Sequence, residues 1–591
     1  ATHAREGASV RASSRPLAAA AATALALTGC PASAPPAPYA STIAEMTRRI
    51  EAQMAAAQVT GLSIALVDGD QVVWARGFGW ADREAGRLAD ADTVFEIGSV
   101  SKTFGAATVL QLVEEGRMDL DDPLALHVPA FTIRQGDFAS GPVTLRSVLT
   151  HHSGIPSDLF NGAFTEGEPF DYDAWLLSWL AHETTSAPVG AVLAYSNSAF
   201  ALLRPAIAHA APEGFDARAA ALFDSMGMRS TSYALDARIP RDRLSRSYDE
   251  GVPQPHRYGN LSTAGSVLSS ASDMARYVRM MIGRGEIDGV RVLAPASVDE
   301  MARRQNAGAP FDLDRSIGLS WFLELPGHYA GRVVEHEGAT PTFHAMVRIL
   351  LDHRLGVVVL SNTMSADVNG IARETLELAL EEKTGLAPPP ALVPVRSEPD
   401  PSWTQEQLAA LEGVYVADAP GLTLKTVAVT AVEGGIRLSD RAGTWIPRKN
   451  GCFSLPDGEP DPQRLQFRFE ELDGRRVVTV LTGGHRYLWA ARMEEGPPDA
   501  VAAWEGRAGS WTVTNLVPGT TWPGVDTIAI ARGDDGILRV QGTLRGDVPI
   551  TPVDADEALV AGIGRNRGER LRAVVVDGVE QVELWGYRYR R

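Results

Sequence analysis

The stretch LAPPPALVPVRSEPDPS, residues 386–402, constrains the fold more than any other segment of this chain. Each proline fixes φ and lacks a backbone N–H, so prolines at 388, 389, 390, 394, 399 and 401 rule out a helix interior or a central strand there. Such a run is a semi-rigid linker. A chain of 591 residues is also too long for one hydrophobic core, because cores stop growing near ~250–300 residues. Separate folding units are therefore expected on the two sides of residues 387–402.

The two sides are patterned differently. Within 42–386, SIALVDGDQVVWARGFGWAD reads as a hairpin turning at Asp68-Gly69. Residues 99–115 carry few charges and no alternation, the mark of a helix buried on all sides. GRVVEHEGATPTFHAMVRILLDHRLGVVVLSN gives two or three strands with a turn over Asp352–Gly356, and IARETLELALEEKTG is a closing helix. The fold class is α+β, an antiparallel sheet flanked by helices. Beyond the linker, short alternating runs separated by Gly and Asp-Gly turns indicate an all-β region. It carries a faint repeat: LAALEGVY (408–415) parallels VAAWEGRA (501–508), GGIRL (434–438) parallels DGILR (535–539), and RYLWAARM (486–493) parallels VELWGYRY (582–589). Two barrel-like domains, 403–496 and 497–591, account for it; one larger barrel or sandwich is the alternative.

Near the beginning of the sequence, Arg5, Arg11 and Arg15 precede PLAAAAATALAL, a run too short to span a bilayer and with the charge order of a secretory signal. The following Leu27-Thr28-Gly29-Cys30 resembles a bacterial lipoprotein cleavage box, which implies lipidation of Cys30. Residues 1–30 then form a lipoprotein signal peptide and 31–41 a Pro/Ala tether. The expected location is the bacterial cell envelope, exported and lipid-anchored to a membrane, facing the periplasm or the exterior. A net charge of −18 without any basic cluster argues against a nucleic-acid partner. Cys452 is the one other cysteine, so no disulfide or Cys-based zinc site is expected within the mature chain.

Chemistry concentrates in EIGSVSKTF, residues 96–104. On a helix, Ser99 and Lys102 stand at i and i+3 on one face. A serine at a helix start meets unpaired N–H groups, and a lysine one turn inside an apolar helix is desolvated, so its pKa falls and it can take the serine proton. A helix cap followed by a solvated lysine accounts for the same four letters, so SVSK alone does not decide.

The surrounding segments do more. VFEIGSVSKTFGAATVLQLVEEGRMDLDDPL resembles the nucleophile region of the penicillin-recognising serine hydrolases, in the branch joining class C β-lactamases with D-alanyl carboxypeptidases, D-aminopeptidases and esterases. LRSVLTHHSGIP (145–156) is similar to that branch's LLTHTSGLP block, with His152 in place of the usual threonine. PVGAVLAYSNSAFALL (188–203) looks like its second catalytic motif, which places Tyr195 and Asn197 there. The resemblance covers roughly residues 42–380 and implies a β-lactamase/transpeptidase-like fold. The all-β domains resemble the lipocalin-like barrels of D-aminopeptidases and similar relatives, which implies a gating or positioning role; a passive spacer or dimerisation surface is the alternative.

A literal Lys383-Thr384-Gly385 sits where the third motif's letters would be sought, but it ends a helix, where lysine and glycine are ordinary terminators. His336-Glu337-Gly338, on a strand, resembles the His-x-Gly version instead, and Gly338 permits close backbone approach. The resemblance implies that Ser99 is acylated, that Lys102 and Tyr195 share its proton, and that the N–H groups of Ser99 and Ala339 form the oxyanion hole. It implies that Asn197 orients Lys102 or the substrate amide and that His336 offers a hydrogen bond or charge to Tyr195 or the substrate. His151 and His152 read as turn or core histidines. If Glu337 faces the pocket it repels a substrate carboxylate, favouring neutral esters or substrates with a free amine; a strand alternates faces and leaves this open.

The expected function is a serine hydrolase acting on an amide or ester of a small molecule or short peptide, peptidase-like or esterase-like, through a Ser99 acyl-enzyme. A catalytically weak penicillin-binding-like lipoprotein that holds a cell-wall peptide, and a class C-like β-lactamase, are the alternatives. An α/β-hydrolase is disfavoured because no G-x-S-x-G elbow occurs. No metal or other cofactor is expected.

Overall fold

The computed structural model describes residues 38–591 apart from 325–326, 391–394, 419–422, 460–463, 483 and 522–524. Cys30, the signal segment and most of the tether lie outside the described residues. The first helix, Ala40–Ala56, begins inside the stretch read as tether. It is pinned there because Tyr39 is buried with its hydroxyl 2.6 Å from Asp68, and the Ser41 and Thr42 hydroxyls both donate to Glu382.

The main sheet is antiparallel throughout, in the order Ser316–Ile317, Phe322–Leu323, Val333–Ala339, His344–Leu350, Leu355–Ser361, Gly61–Asp68, Gln71–Asp82, Arg87–Leu88. Its hairpin turns at Gly69, φ 60°, as the Asp68-Gly69 pair predicts. The central strands Gly61–Asp68, His344–Leu350 and Leu355–Ser361 are buried almost throughout because both faces of the sheet are covered there. Leu62, Ile64, Leu66, Val357 and Val359 pack with helices Ala40–Ala56 and Val368–Thr384. Ala65, Val67, Val358 and Leu360 face the helical body built around Ser101–Glu114 and Ala271–Ile282. The turn expected over Asp352–Gly356 comes slightly earlier, over Leu351–His353, and is closed by Arg354 in the left-handed region at φ 54°. Lys383-Thr384-Gly385 ends the helix Val368–Thr384, with Gly385 at φ 78° and the Lys383 ammonium 2.5 Å from Asp68 and 2.8 Å from the His353 carbonyl.

Past the linker the chain forms two closed eight-stranded barrels rather than one larger sheet. One runs from Gly413–Asp418 to His485–Arg492 and the other from Gly509–Val513 to Tyr587–Arg590; in each the first strand pairs with the last. Two of the sequence parallels fall on equivalent elements: a short helix (Gln405–Ala409; Pro498–Gly506) that precedes the first strand, and the third strand (Gly435–Leu438; Leu538–Thr543). The third does not, since RYLWAARM lies on the last strand while VELWGYRY spans the seventh strand, a turn at Trp585-Gly586 and the last strand.

Candidate active site

Gly98 shapes the turn that carries Ser99. Its φ of 50° sets a 3-10 turn, Gly98–Val100, that leads into the helix Ser101–Glu114. A Cβ on Gly98 would stand 2.6 Å from the Ala339 nitrogen, and one on Gly338 would stand 2.0 Å from the Ile97 carbonyl. Two glycines thus let the strand Val333–Ala339 press against the turn, which brings Ala339 beside Ser99 on the wall of one cleft. Ser99 lies in this turn rather than capping the α-helix, yet the i, i+3 relation survives: Lys102 Nζ is 3.1 Å from Ser99 Oγ.

Lys102 is fully buried. Its other two contacts are acceptors, Asn197 Oδ1 at 2.7 Å and the Ala264 carbonyl at 2.6 Å. Burial holds its pKa well below the usual lysine range; Arg565 adds to the fall and Asp158 opposes it. A neutral amine has two N–H bonds and one lone pair. With Asn197 and Ala264 taking the N–H bonds, the lone pair is left for the Ser99 hydroxyl.

Tyr195 lines the same cleft as Ser99, and burial keeps its hydroxyl protonated by raising its pKa. Its ring stacks on His151 at 4.1 Å and lies under the Arg565 guanidinium at 4.8 Å. Asn197 opens the helix Asn197–Ala201, whose cap Ser196 accepts from the Ala199 N–H. The two Asn197 side-chain atoms face different partners, since Nδ2 donates to Asp158 at 2.7 Å. His151 is a buried turn residue, at φ 61°, whose Nδ1 accepts from the Ser196 N–H. His152 is a core residue paired with Asp312 at 2.8 Å.

His336 is buried and its ring centroid is 6.3 Å from that of Tyr195. Nδ1 lies 2.6 Å from the Glu337 carbonyl, while Nε2 has no partner among the described residues. Burial, aided by Lys102, pushes its pKa down to about 3, so the ring is neutral. Glu337 takes the opposite face of the strand, about half exposed on the cleft rim, with its carboxylate 2.6 Å from His344 Nε2. It is a partnered anion at the edge of the cleft rather than a bare one against Ser99.

The second barrel contributes groups that the sequence did not single out. The loop 561–569, between strands Glu557–Val560 and Arg570–Val576, carries Arg565, Asn566 and Glu569 to the catalytic unit. Arg565 grips Asp158 with Nε at 2.9 Å and Nη2 at 3.0 Å, and Arg545 pairs with the same carboxylate. The Ser157 N–H donates to Glu569 at 2.7 Å, and the Asn566 N–H donates to Ser157 Oγ. The resulting cleft, about 950 Å³, is lined by Ser99, Tyr195 and His336, by Tyr487 and Trp489 of the first barrel, and by Arg565. That volume suits a small molecule or short peptide. The sequence signal that could have found the loop is GIGRNRGER (562–570), glycine and arginine interleaved where strand patterning lapses.

The family described as Beta-lactamase matches residues 46–381 of the chain. Penicillin-binding protein 4 of Amycolatopsis lactamdurans is 28% identical over 392 residues, 63% of this chain and 97% of that protein. Esterase EstB of Burkholderia gladioli is 32% identical over 32% of this chain and 50% of its own length. The D-alanyl-D-alanine-carboxypeptidase/endopeptidase AmpH of Escherichia coli K12 is 24% identical over 51% of this chain and 78% of its own length.

Proposed function

The chain belongs to the Beta-lactamase family, and from that premise we propose that it hydrolyses an amide or ester of a small molecule or short peptide through an acyl-enzyme on Ser99. One observation carries the reading: Lys102 Nζ is 3.1 Å from Ser99 Oγ while its other two contacts are both acceptors. The oxygen of Ser99 attacks the carbonyl carbon as its proton passes to Lys102. The N–H groups of Ser99 and Ala339 receive the oxyanion. Tyr195, kept protonated by burial, gives its proton to the leaving nitrogen or oxygen and regains one from Lys102 as the scissile bond breaks. Water, deprotonated by the same pair, then attacks the acyl ester, freeing the acid and restoring Ser99.

Neutral esters and amine-bearing substrates fit better than carboxylates near the rim, because the Glu337 carboxylate stands there, about half exposed and in contact with His344. The relatives named as esterase and as D-alanyl-D-alanine carboxypeptidase/endopeptidase support both ester and amide cleavage. A panel of p-nitrophenyl esters, nitrocefin, D-amino acid amides and D-Ala-D-Ala peptides tests the preference. Short-chain ester cleavage with weak nitrocefin turnover is expected, and efficient nitrocefin hydrolysis overturns the Glu337 argument. A fluorophosphonate label on Ser99, absent in Ser99→Ala, tests the nucleophile; turnover that survives Ser99→Ala refutes the acyl-enzyme. The lipoprotein box at Cys30 supports envelope anchoring, which labelled fatty-acid incorporation lost in Cys30→Ser checks.

A further inference from the structure

We propose that the second barrel is a working part of the catalytic centre: its Arg545 and Arg565 hold Asp158, and Asp158 turns the Asn197 amide so that its oxygen, not its amino group, meets Lys102. This rests on the reading of Lys102 as the base for Ser99. An amide side chain has a donor end and an acceptor end. If Asn197 presented its amino group to Lys102, the neutral amine would have to spend its lone pair on that N–H, and Ser99 would lose its proton acceptor. Asp158, an acceptor alone when ionised, forbids that arrangement by requiring the Asn197 Nδ2 at 2.7 Å.

Asp158 can do so only while it is charged, and it is buried at 2% exposure, where an unpaired carboxylate is costly. The two arginines that keep it charged lie 387 and 407 residues away in sequence, both in the second barrel. The relay is a continuous chain of contacts from Arg565 and Arg545 through Asp158, Asn197 and Lys102 to Ser99. Asp158 also faces Lys102, Glu569, which burial raises to about 7, and Tyr172; Lys102 also faces the rings of Tyr195, His151 and His336 and the charge of Arg565. Arg545, Arg565 and Asp158 are positioning residues here; none is required to touch the reacting atoms.

The experiment measures, in the full-length protein, the rate at which a fluorophosphonate labels Ser99 across about pH 5 to 10, for the parent, Arg565→Gln, Asp158→Asn and Asn161→Ala. Arg565→Gln removes a cation beside Lys102 and leaves the carboxylate, so the rising limb moves up by about one pH unit and the neutral-pH rate falls about tenfold. Asp158→Asn removes the carboxylate and leaves the cations, so the limb moves down, and the plateau rate falls because nothing now holds the Asn197 oxygen on Lys102. Arg565→Lys, which keeps the charge, recovers part of the loss. Asn161 holds Asn515, Gly586 and Val517 of the same barrel, outside the relay, so Asn161→Ala leaves the limb in place even where it lowers thermal stability. Limbs that coincide with the parent's, or that move the same way in Arg565→Gln and Asp158→Asn, overturn the proposal. A parent that is not labelled at Ser99 overturns the hydrolase reading instead, which keeps the two failures apart.

Discussion

The two barrels share strand number, closure and the helix that precedes the first strand, yet they meet the catalytic unit with different chemistry. The first offers apolar surface: Val477, Leu488 and Ala491 pack against Ala191, Val192 and Phe311, and Tyr487 and Trp489 line the cleft. The second inserts a buried charge network, Arg545, Arg565 and Glu569 around Asp158 and Ser157. Apolar contacts are non-directional and tolerate substitution of similar volume, whereas a buried carboxylate loses its stability when any partner goes. The same scaffold thus serves as a wall in one copy and, in the other, as a strut for Asp158 and the Asn197 amide that it holds.

The largest effect sets the scale on which the barrels are compared. Lys102→Ala removes the base, and kcat/KM for an ester should fall by about 10⁴-fold, in the range seen when one member of a catalytic unit is lost. With Lys102 as the proposed base, kcat/KM of the parent should rise with pH as Lys102 loses its proton, because only the neutral amine can accept the Ser99 proton. Since burial lowers the Lys102 pKa, that rise is complete well below the usual lysine range. A rising limb centred near an ordinary lysine pKa sinks the assignment.

Next comes a substitution aimed at the second barrel's seat. Gly568 has φ 69°, and a Cβ there would stand 2.3 Å from the Ser186 carbonyl. Backbone faces backbone at that point, so neither side can yield cheaply. Gly568→Ala should displace the loop that carries Arg565 and cost about 10- to 100-fold in kcat/KM, mostly in kcat, as misplacement remote from the chemistry does. Wild-type kinetics in a variant whose barrel remains folded would break the contrast between the barrels.

The first barrel's wall is expected to act on substrate binding alone. Trp489→Ala should raise KM about two- to fivefold for bulky acyl groups and leave kcat within about twofold, the pattern of lost uniform binding. A change in kcat as large as that from Gly568→Ala would mean that the first barrel also organises catalysis.

What the sequence could and could not reveal follows the same division. Ser99 with Lys102, and Tyr195 with Asn197, were legible because helix periodicity or a short motif holds each pair together within a few residues. The hairpin at Gly69 was legible for the same reason, and Lys383-Thr384-Gly385 could be set aside from its place at a helix end. The face taken by Glu337 was not, because it depends on which side of Val333–Ala339 the nucleophile turn packs, a choice made by Gly98 and Gly338 in three dimensions. Asp158 carried no local signal; its meaning depends on arginines more than 380 residues distant.

The smallest expected effect closes the comparison from the first barrel's side. Gly451 sits in the turn after Arg448, at φ 78°, in a conformation as demanding as that of Gly568. The atoms nearest to an added Cβ, however, belong to the Arg468 side chain at 3.8 Å, ordinary contact with a group that can move. Gly451→Ala therefore meets only the intrinsic left-handed penalty of about 1–2 kcal/mol, seen as a lower thermal midpoint. With no backbone of the catalytic unit against it, kcat and KM should both stay within about twofold of the parent. The pair of glycine substitutions thus imposes equal backbone strain on both barrels and differs in what lies opposite. A tenfold loss of kcat/KM from Gly451→Ala would show that strain anywhere in these barrels reaches Ser99, and the special position of the second barrel would fall with it.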